Sequence, residues 1–283
     1  MKLVLMGDLH YHDADGNVQE WAEARERFYE AVLDRFLELE GDAHIALGDL
    51  TNFGTPTELE DVYERIRSHN RTFYHVLGNH DVYGQPKRDV LGFTGQAGYH
   101  AVMTDEVLLV FLDTTREMDC EDWSGWMDDE QLHWLLEMVK LSGSKPLLVF
   151  AHHPVYDTTA GSMADKGSIH PDVDLWDILS QKEGTGLYFN GHTHVDSIVR
   201  RERWTFVQLS ACLDSPSFRT VHIEPEEIRV AAVDMNEPEL REHAAVLHSH
   251  MKHFSPTPGA CGAEADRACI VTIATPPASV QPL

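Results

Sequence analysis

At roughly 150 residues per domain, the 283-residue chain has room for one large α/β domain or two ordinary ones, and its 42% hydrophobic content can furnish a core unaided. Its 22 Lys+Arg against 47 Asp+Glu leave a formal charge of −25, a field that repels long nucleic acids unless a metal or a local basic patch reverses it. No apolar run approaches the roughly 18 residues of a membrane span, and four cysteines without a C-x-x-C pair are too few for a disulfide scaffold and read as free thiols.

The apolar start at Met1–Met6 turns acidic at Asp8 without a small-residue cleavage site, so it reads as a first strand, Leu3–Met6, and a cytoplasmic location is the default expectation. Next, Ala24, Phe28, Ala31, Val32, Phe36 and Leu39 recur at helical spacing and predict an amphipathic helix over Trp21–Glu40. A buried strand follows at Ala43–Leu47, then a helix over Thr57–His69 started by Pro56, then a strand at Phe73–Leu77. Tyr99–Met103 and Val107–Asp113 read as an antiparallel hairpin around Thr104-Asp105-Glu106. A helix over Asp128–Leu141, a strand at Leu147–Ala151, a short helix over Val173–Gln181 and a strand at Leu187–Asn190 come next. Trp204–Ser210, Val221–Ile223 and Ile228–Val233 read as antiparallel strands, the last two joined by the turn at 224–227.

Strands alternating with helices argue for α/β units and a largely parallel inner sheet. A four-layer α/β/β/α sandwich accommodates the hairpins as well, although periodicity alone does not choose it over a three-layer sheet. From Ser255 onward the chain is rich in Pro, Ala, Gly and Thr, and apart from a short run at Cys269–Ala274 it reads as a partly disordered tail.

The chemistry is concentrated at strand ends. Five of them carry polar clusters: Gly7-Asp8-Leu9-His10, Gly48-Asp49, Gly78-Asn79-His80-Asp81, His152-His153-Pro154 and Gly191-His192-Thr193-His194. Carboxyl ends of strands in an α/β sheet converge on one edge, so the five should meet. Carboxylate and imidazole without thiolate suit divalent ions such as manganese, iron or zinc. Asp8, His10, Asp49, Asn79, His152, His192 and His194 are enough for two ions of four protein ligands each if one residue bridges. Asp49 is the natural bridge, since one carboxylate can join two ions roughly 3.5–4 Å apart. Two divalent ions outweigh the two carboxylates, and the local positive charge favours a small anionic substrate despite the acidic chain.

These motifs, in this order, resemble the calcineurin-like metallophosphoesterase superfamily. The arrangement is most similar to its bacterial class III cyclic-nucleotide phosphodiesterase and glycerophosphodiesterase branch, through the short Asp8-Leu9-His10 start, the Gly78–Asp81 loop and the Gln131–Leu135 helix after Leu112-Asp113. The resemblance implies a four-layer α/β/β/α sandwich of two mixed sheets, a catalytic domain over residues 1–235 and a C-terminal extension over 236–283. It also implies one ion on Asp8, His10, Asp49 and His194, a second on Asp49, Asn79, His152 and His192, and a bridging water or hydroxide that attacks the phosphorus.

His80 is the candidate general acid, with Asp81 expected to orient its ring. His153 and His12 lie nearby in sequence but occupy no ligand position of the pattern. The arginine motifs of the superfamily's protein phosphatases are absent, and Asn52 and Phe53 stand where its purple acid phosphatases carry a tyrosine.

The function implied is hydrolysis of a small phosphodiester, either a cyclic nucleotide or a glycerophosphodiester. A phosphomonoesterase or broad-specificity phosphatase is the alternative within the superfamily, with Lys87 and Arg88 keeping the question open. A non-catalytic protein-interaction scaffold is the alternative of another class, and a homo-oligomer is left open. Thr114–Asp129, with Trp123 and Trp126 among six acidic residues, reads as an active-site lid, a subunit contact or a packed surface loop. Glu58–Glu64 reads as a solvated helix face. Asp214 and Arg219, after the last histidine motif, are further candidates for lining the pocket, and Met251–Phe254 with His248, His250 and His253 reads as a disordered or helical chain end, with adventitious metal binding as the alternative.

Overall fold

Leu3 and Leu5 of the first strand point to one face and Val4 and Met6 to the other, and all four are completely buried. A strand with no wet face belongs inside a sheet covered on both sides. The computed structural model, which describes residues 1–13 and 18–273, gives both coverings. Leu3 and Leu5 meet the inward residues of a second sheet, among them Leu109, Phe111, Leu148, Phe150, Leu187 and Phe189. Val4 and Met6 meet helices through Phe28, Val32, Phe36, Leu59 and Leu247.

The first sheet runs β12 (Ala268–Thr272), β11 (Glu227–Asp234), β10 (Ser217–Ile223), β1 (Lys2–Met6), β2 (Ala43–Ala46), β3 (Phe73–His75). The second runs β4 (His100–Met103), β5 (Leu108–Phe111), β6 (Leu147–Phe150), β7 (Gly186–Asn190), β9 (Trp204–Gln208), β8 (Ser197–Arg201). The first sheet is covered by α1 (Gln19–Glu38), α2 (Pro56–Ser68) and α6 (Pro238–His248), and the second by α4 (Asp129–Ser142) and α5 (Leu175–Leu179). The short α3 (Lys87–Thr94) leads into β4. This is the four-layer α/β/β/α sandwich, with one apolar cluster between each pair of adjacent layers.

Several local expectations are corrected. The parallel strands do not form one inner sheet. They divide into β1–β2–β3 and β5–β6–β7–β9, and antiparallel strands join each set, so both sheets are mixed. Of the three antiparallel strands expected after residue 200, β10 and β11 do form a hairpin, but β9 lies in the other sheet. It pairs antiparallel with β8, whose Ser-Ile-Val-Arg-Arg sequence is too polar to stand out.

The extension is more structured than its composition suggests. Leu240, Ala244 and Leu247 of α6 join the core beside α1, and β12 pairs with β11 from Glu227↔Thr272 to Ala231↔Ala268. The intervening Pro- and Gly-rich loops hide this because their order comes from tertiary pairing, not from local periodicity. Residues 274–283 lie outside the described residues. All four cysteines are free thiols.

Glu58 also departs from the solvated-face reading, since it is fully buried. Its Oε2 accepts the N–H groups of Phe53 and Thr55 while the Thr55 hydroxyl accepts the Glu58 N–H, a capping box that starts α2 behind Pro56. No helix among the described residues is long and apolar enough to cross a membrane.

Candidate metal centre

The seven donors leave the carboxyl ends of parallel strands in both sheets. Asp8 and His10 follow β1, Asp49 follows β2, Asn79 follows β3, His152 follows β6, and His192 and His194 follow β7. Because the sheets are stacked with these ends together, the five loops close on one point. The approach is tight enough to demand glycine: a Cβ on Gly191 would collide with Asp8 Oδ1, and one on Gly48, at φ +95°, would collide with the His152 ring. His10, Asp49, His192 and His194 themselves sit at φ of 50°, 47°, 74° and 60°, a region that non-glycine residues rarely occupy. Strain of this kind persists where surrounding structure imposes it, and here it falls on four of the seven donors.

Two groups result. In the first, Asp8, His10, Asp49 and His194 place ligand atoms within 4.8 Å of one another. His194 Nε2 is 3.1 Å from His10 Nε2 and 3.2 Å from Asp8 Oδ2, and His10 Nε2 is 3.8 Å from Asp49 Oδ2. In the second, His152 Nε2 is 3.1 Å from Asn79 Oδ1, 3.2 Å from His192 Nδ1 and 3.3 Å from Asp49 Oδ2. Asn79 Oδ1 is also 3.1 Å from His192 Nδ1. The groups share a single oxygen, Asp49 Oδ2. The other oxygen, Oδ1, accepts the His80 backbone N–H at 2.9 Å, so one atom of this carboxylate faces both groups and not one atom each.

Partners on the far side fix which atoms point inward. His152 Nδ1–H donates to the Leu47 carbonyl at 2.9 Å and His192 Nε2–H donates to the Lys166 carbonyl at 2.9 Å. A neutral ring then turns a lone pair toward the centre. Asn79 Nδ2 donates to the Tyr83 hydroxyl at 2.7 Å, which leaves Oδ1 facing in. Burial alone would raise the Asp49 carboxyl, yet the His152 and His80 imidazoles hold it well below the usual carboxylate range. Burial opposes charge on His152, but Asp49 pushes it up to about 9, while burial and the neighbouring His152 push His192 down to about 3. Burial opposes charge on His194 as well, yet Asp8 raises it, so acceptors packed this closely draw positive charge between them in both groups. Asp8 Oδ1 and His10 Nδ1 are buried with no hydrogen-bond partner among the described residues. The oxygen and imidazole donors fit divalent transition ions.

The sequence pattern of the calcineurin-like phosphoesterases matches residues 1–196. The chain belongs to this family. Among curated proteins, it is 26% identical over 214 residues to the glycerophosphodiester phosphodiesterase GpdQ of Enterobacter lignolyticus, covering 72% of each chain. It is 25% identical over 203 residues to a probable cyclic nucleotide phosphodiesterase of Rhodopseudomonas palustris, covering 69% of this chain and 72% of that one. Among solved structures, a dimetal phosphatase from Danio rerio superimposes with a TM-score of 0.68 over 83% of this chain and 96% of that one, at 16% identity, a likeness of fold. Calcineurin-like phosphoesterases are typically metal-dependent hydrolases that bind two ions, and this member carries candidate metal-binding groups of His and Asp residues.

Around the donors of this phosphoesterase, His80 is almost fully buried, its ring edge-on to His10 at 4.5 Å. Its Nδ1–H donates to the Asn52 carbonyl at 2.8 Å, leaving Nε2 free to act. Asp81 does not touch that ring. Its carboxylate accepts from the Thr51 backbone and hydroxyl at 2.8 and 2.7 Å, from Gly78 N–H at 2.9 Å and from His75 Nε2 at 3.1 Å, tying its own loop to the loop after β2 and to the end of β3. Neighbours in sequence on a tight 3₁₀ turn point apart, which is why the expected Asp81–His80 contact fails.

His153 is within 4.8 Å of His152 and His192, yet both its nitrogens are engaged, Nδ1 with the Thr114 hydroxyl at 2.8 Å and Nε2 with the Trp123 carbonyl at 3.0 Å. His12 pairs with Glu58 at 3.0 Å. Lys87 is held by Asp113 and the Thr115 carbonyl, both at 2.7 Å, and Arg88 is exposed beside Asp89. Arg219 is buried against Asp196 at 2.6 Å. In the Thr114–Asp129 loop, Trp123 and Trp126 are half-exposed and lie under the cations of Lys166 and Arg116 at 4.1 and 5.0 Å. Tyr83 and Asn52, which hold Asn79 and His80, do not stand out in the sequence. The only signal was their place within the motif loops, four residues after Asn79 and three after Asp49.

Proposed function

We propose that the chain hydrolyses small phosphodiesters, of cyclic-nucleotide or glycerophosphodiester type, at two divalent metal ions. Asp8, His10, Asp49 and His194 hold one ion and Asp49, Asn79, His152 and His192 the other, with residues 1–235 as the catalytic unit. The observation that carries this reading is Asp49 Oδ2 facing both donor groups. Bound there, two divalent ions supply Lewis-acid charge for the phosphate oxygens and lower the pKa of a water nucleophile.

The chain's own residues do the rest. Asp49 fixes the two groups relative to each other, and its Oδ1 anchors the His80 backbone. With Nδ1 committed to the Asn52 carbonyl, His80 Nε2 is the atom that holds a proton near the leaving alkoxide. Monoester hydrolysis would call for a cation gripping the additional phosphate charge. The cations after the Asn79 loop do not offer it, because Lys87 is committed to Asp113 and Arg88 faces solvent. The names of the Enterobacter and Rhodopseudomonas relatives agree with a diester substrate.

The test compares bis(p-nitrophenyl) phosphate with p-nitrophenyl phosphate, with manganese, with chelator, and in Asn79→Ala. Faster diester turnover, lost on chelation and in the variant, is expected. Monoester preference would replace this reading with a phosphatase, and inactivity of the two-metal protein on both substrates would overturn it.

A further inference from the structure

Phe254, in the extension, lies between two histidines. Its ring stacks on His194 at 5.1 Å and 23° and on His248 of α6 at 5.3 Å and 13°, and meets His10 edge-on at 4.9 Å. Across the nitrogen edges of the two outer rings lies Asp214, with Oδ2 3.7 Å from His194 Nδ1 and Oδ1 3.5 Å from His248 Nε2. Asp214 comes from the loop after β9. The result is a closed box, His194–Phe254–His248 with Asp214 along one side, in which only His194 belongs to the donor groups.

Two further contacts fasten this box to the site. Asn52, whose carbonyl accepts from His80, donates its side-chain amide to the Lys252 carbonyl at 3.1 Å. Tyr29, whose hydroxyl donates to the His10 carbonyl at 2.6 Å, has Met251 against the same oxygen at 4.0 Å. Beyond the box, Asp214, His248 and Thr257 line a cavity of about 620 Å³, whereas His194 and Phe254 do not. A single layer of side chains therefore separates the His194 ring from that space.

We propose that Asp214 and Phe254 are positioning residues for His194, and that the segment 236–262 is thereby a working part of the centre and not an appendage. The proposal rests on the two-metal reading. Asp214 Oδ2, buried without a hydrogen-bond partner among the described residues and 3.7 Å from His194 Nδ1, stands where a backbone carbonyl stands for His152 and His192, and its charge there favours the tautomer with Nδ1 protonated and Nε2 free to bind an ion. Once Nε2 is bound, the outer N–H becomes more acidic and its attraction to the carboxylate grows. Phe254 fixes the ring plane, which the left-handed backbone at His194 does not do by itself.

The experiment is a manganese titration of the metal-stripped full-length protein by calorimetry, with metal content checked after gel filtration, for wild type, Asp214→Asn, Phe254→Ala, Phe254→Tyr and His194→Ala. Wild type should take up two ions. Asp214→Asn and Phe254→Ala should weaken one of them by about 10–100-fold, as loss of an orienting partner typically does, and leave the other unchanged. Phe254→Tyr should restore wild-type binding, and Asp214→Asn should add nothing in a His194→Ala background, a non-additivity that general destabilisation would not produce. Two ions bound with wild-type affinity in Asp214→Asn, which keeps the shape of the side chain, would overturn the proposal even if Phe254→Ala proves unstable. Fewer than two ions in wild type would instead overturn the two-metal reading beneath it.

Discussion

In the Asn79, His152 and His192 group, the far atom of each of these three donors ends on a fixed partner: the Tyr83 hydroxyl, the Leu47 carbonyl and the Lys166 carbonyl. In the Asp8, His10 and His194 group, Asp8 Oδ1 and His10 Nδ1 have no partner among the described residues, and His194 Nδ1 faces a carboxylate at 3.7 Å. The first of these is preorganised by hydrogen bonds, mostly to backbone. The second is held by ring packing, His10 edge-on to His194 and Phe254 stacked on His194, while left-handed backbone occurs in both groups, at His10 and His194 here and at His192 in the first. Similar sets of oxygen and imidazole donors can thus be secured in two ways, and hydrogen bonding is the less forgiving of ligand movement. The two ions should consequently bind with different affinity.

Asp49→Ala removes the only atom common to both groups and has the largest effect: neither ion survives gel filtration and diester hydrolysis falls to background, read by metal analysis and initial rates. His80→Ala comes next, lowering kcat by about 10²–10⁴-fold, the range for loss of a general acid, while both ions remain. A fall in metal content in this variant would move His80 from proton transfer to support of Asp49.

The comparison itself is tested by paired variants. His192→Ala should abolish the tighter step of a two-step manganese isotherm and His194→Ala the weaker one, and the reverse assignment would break the argument. Tyr83→Phe should weaken the tighter step alone by about 10–100-fold through a freed Asn79 amide, again by calorimetry. The smallest effect belongs to Glu58→Gln. His12, Asp13 and Glu58 form a third group of donor-type residues, but Glu58 is engaged in a helix cap. This variant should cost about 1 kcal/mol of stability in a denaturant melt and leave two ions bound.

Much of this centre is legible in the sequence because its candidate donors lie in short motifs, each fixed to a strand end by a neighbouring glycine or by the strand itself. The helices over residues 19–38, 56–68 and 129–142 were legible from their apolar spacing and, for the second, from Pro56. What failed did so where local sequence is silent. Ser197–Arg201 is a strand only because β9 lies beside it, and Glu58 is buried only because the loop before α2 folds back over it.

The order of motifs, the donor types and the alternation of apolar residues belong to the sequence, since they depend on residue chemistry and on the period of strand and helix. The tertiary structure alone decided how the strands divide between two sheets, which way His80 and Asp81 point, and that Phe254 and Asp214 close on His194. Each of these is a contact between segments far apart in the chain, set by packing and hydrogen-bond geometry that no local pattern encodes.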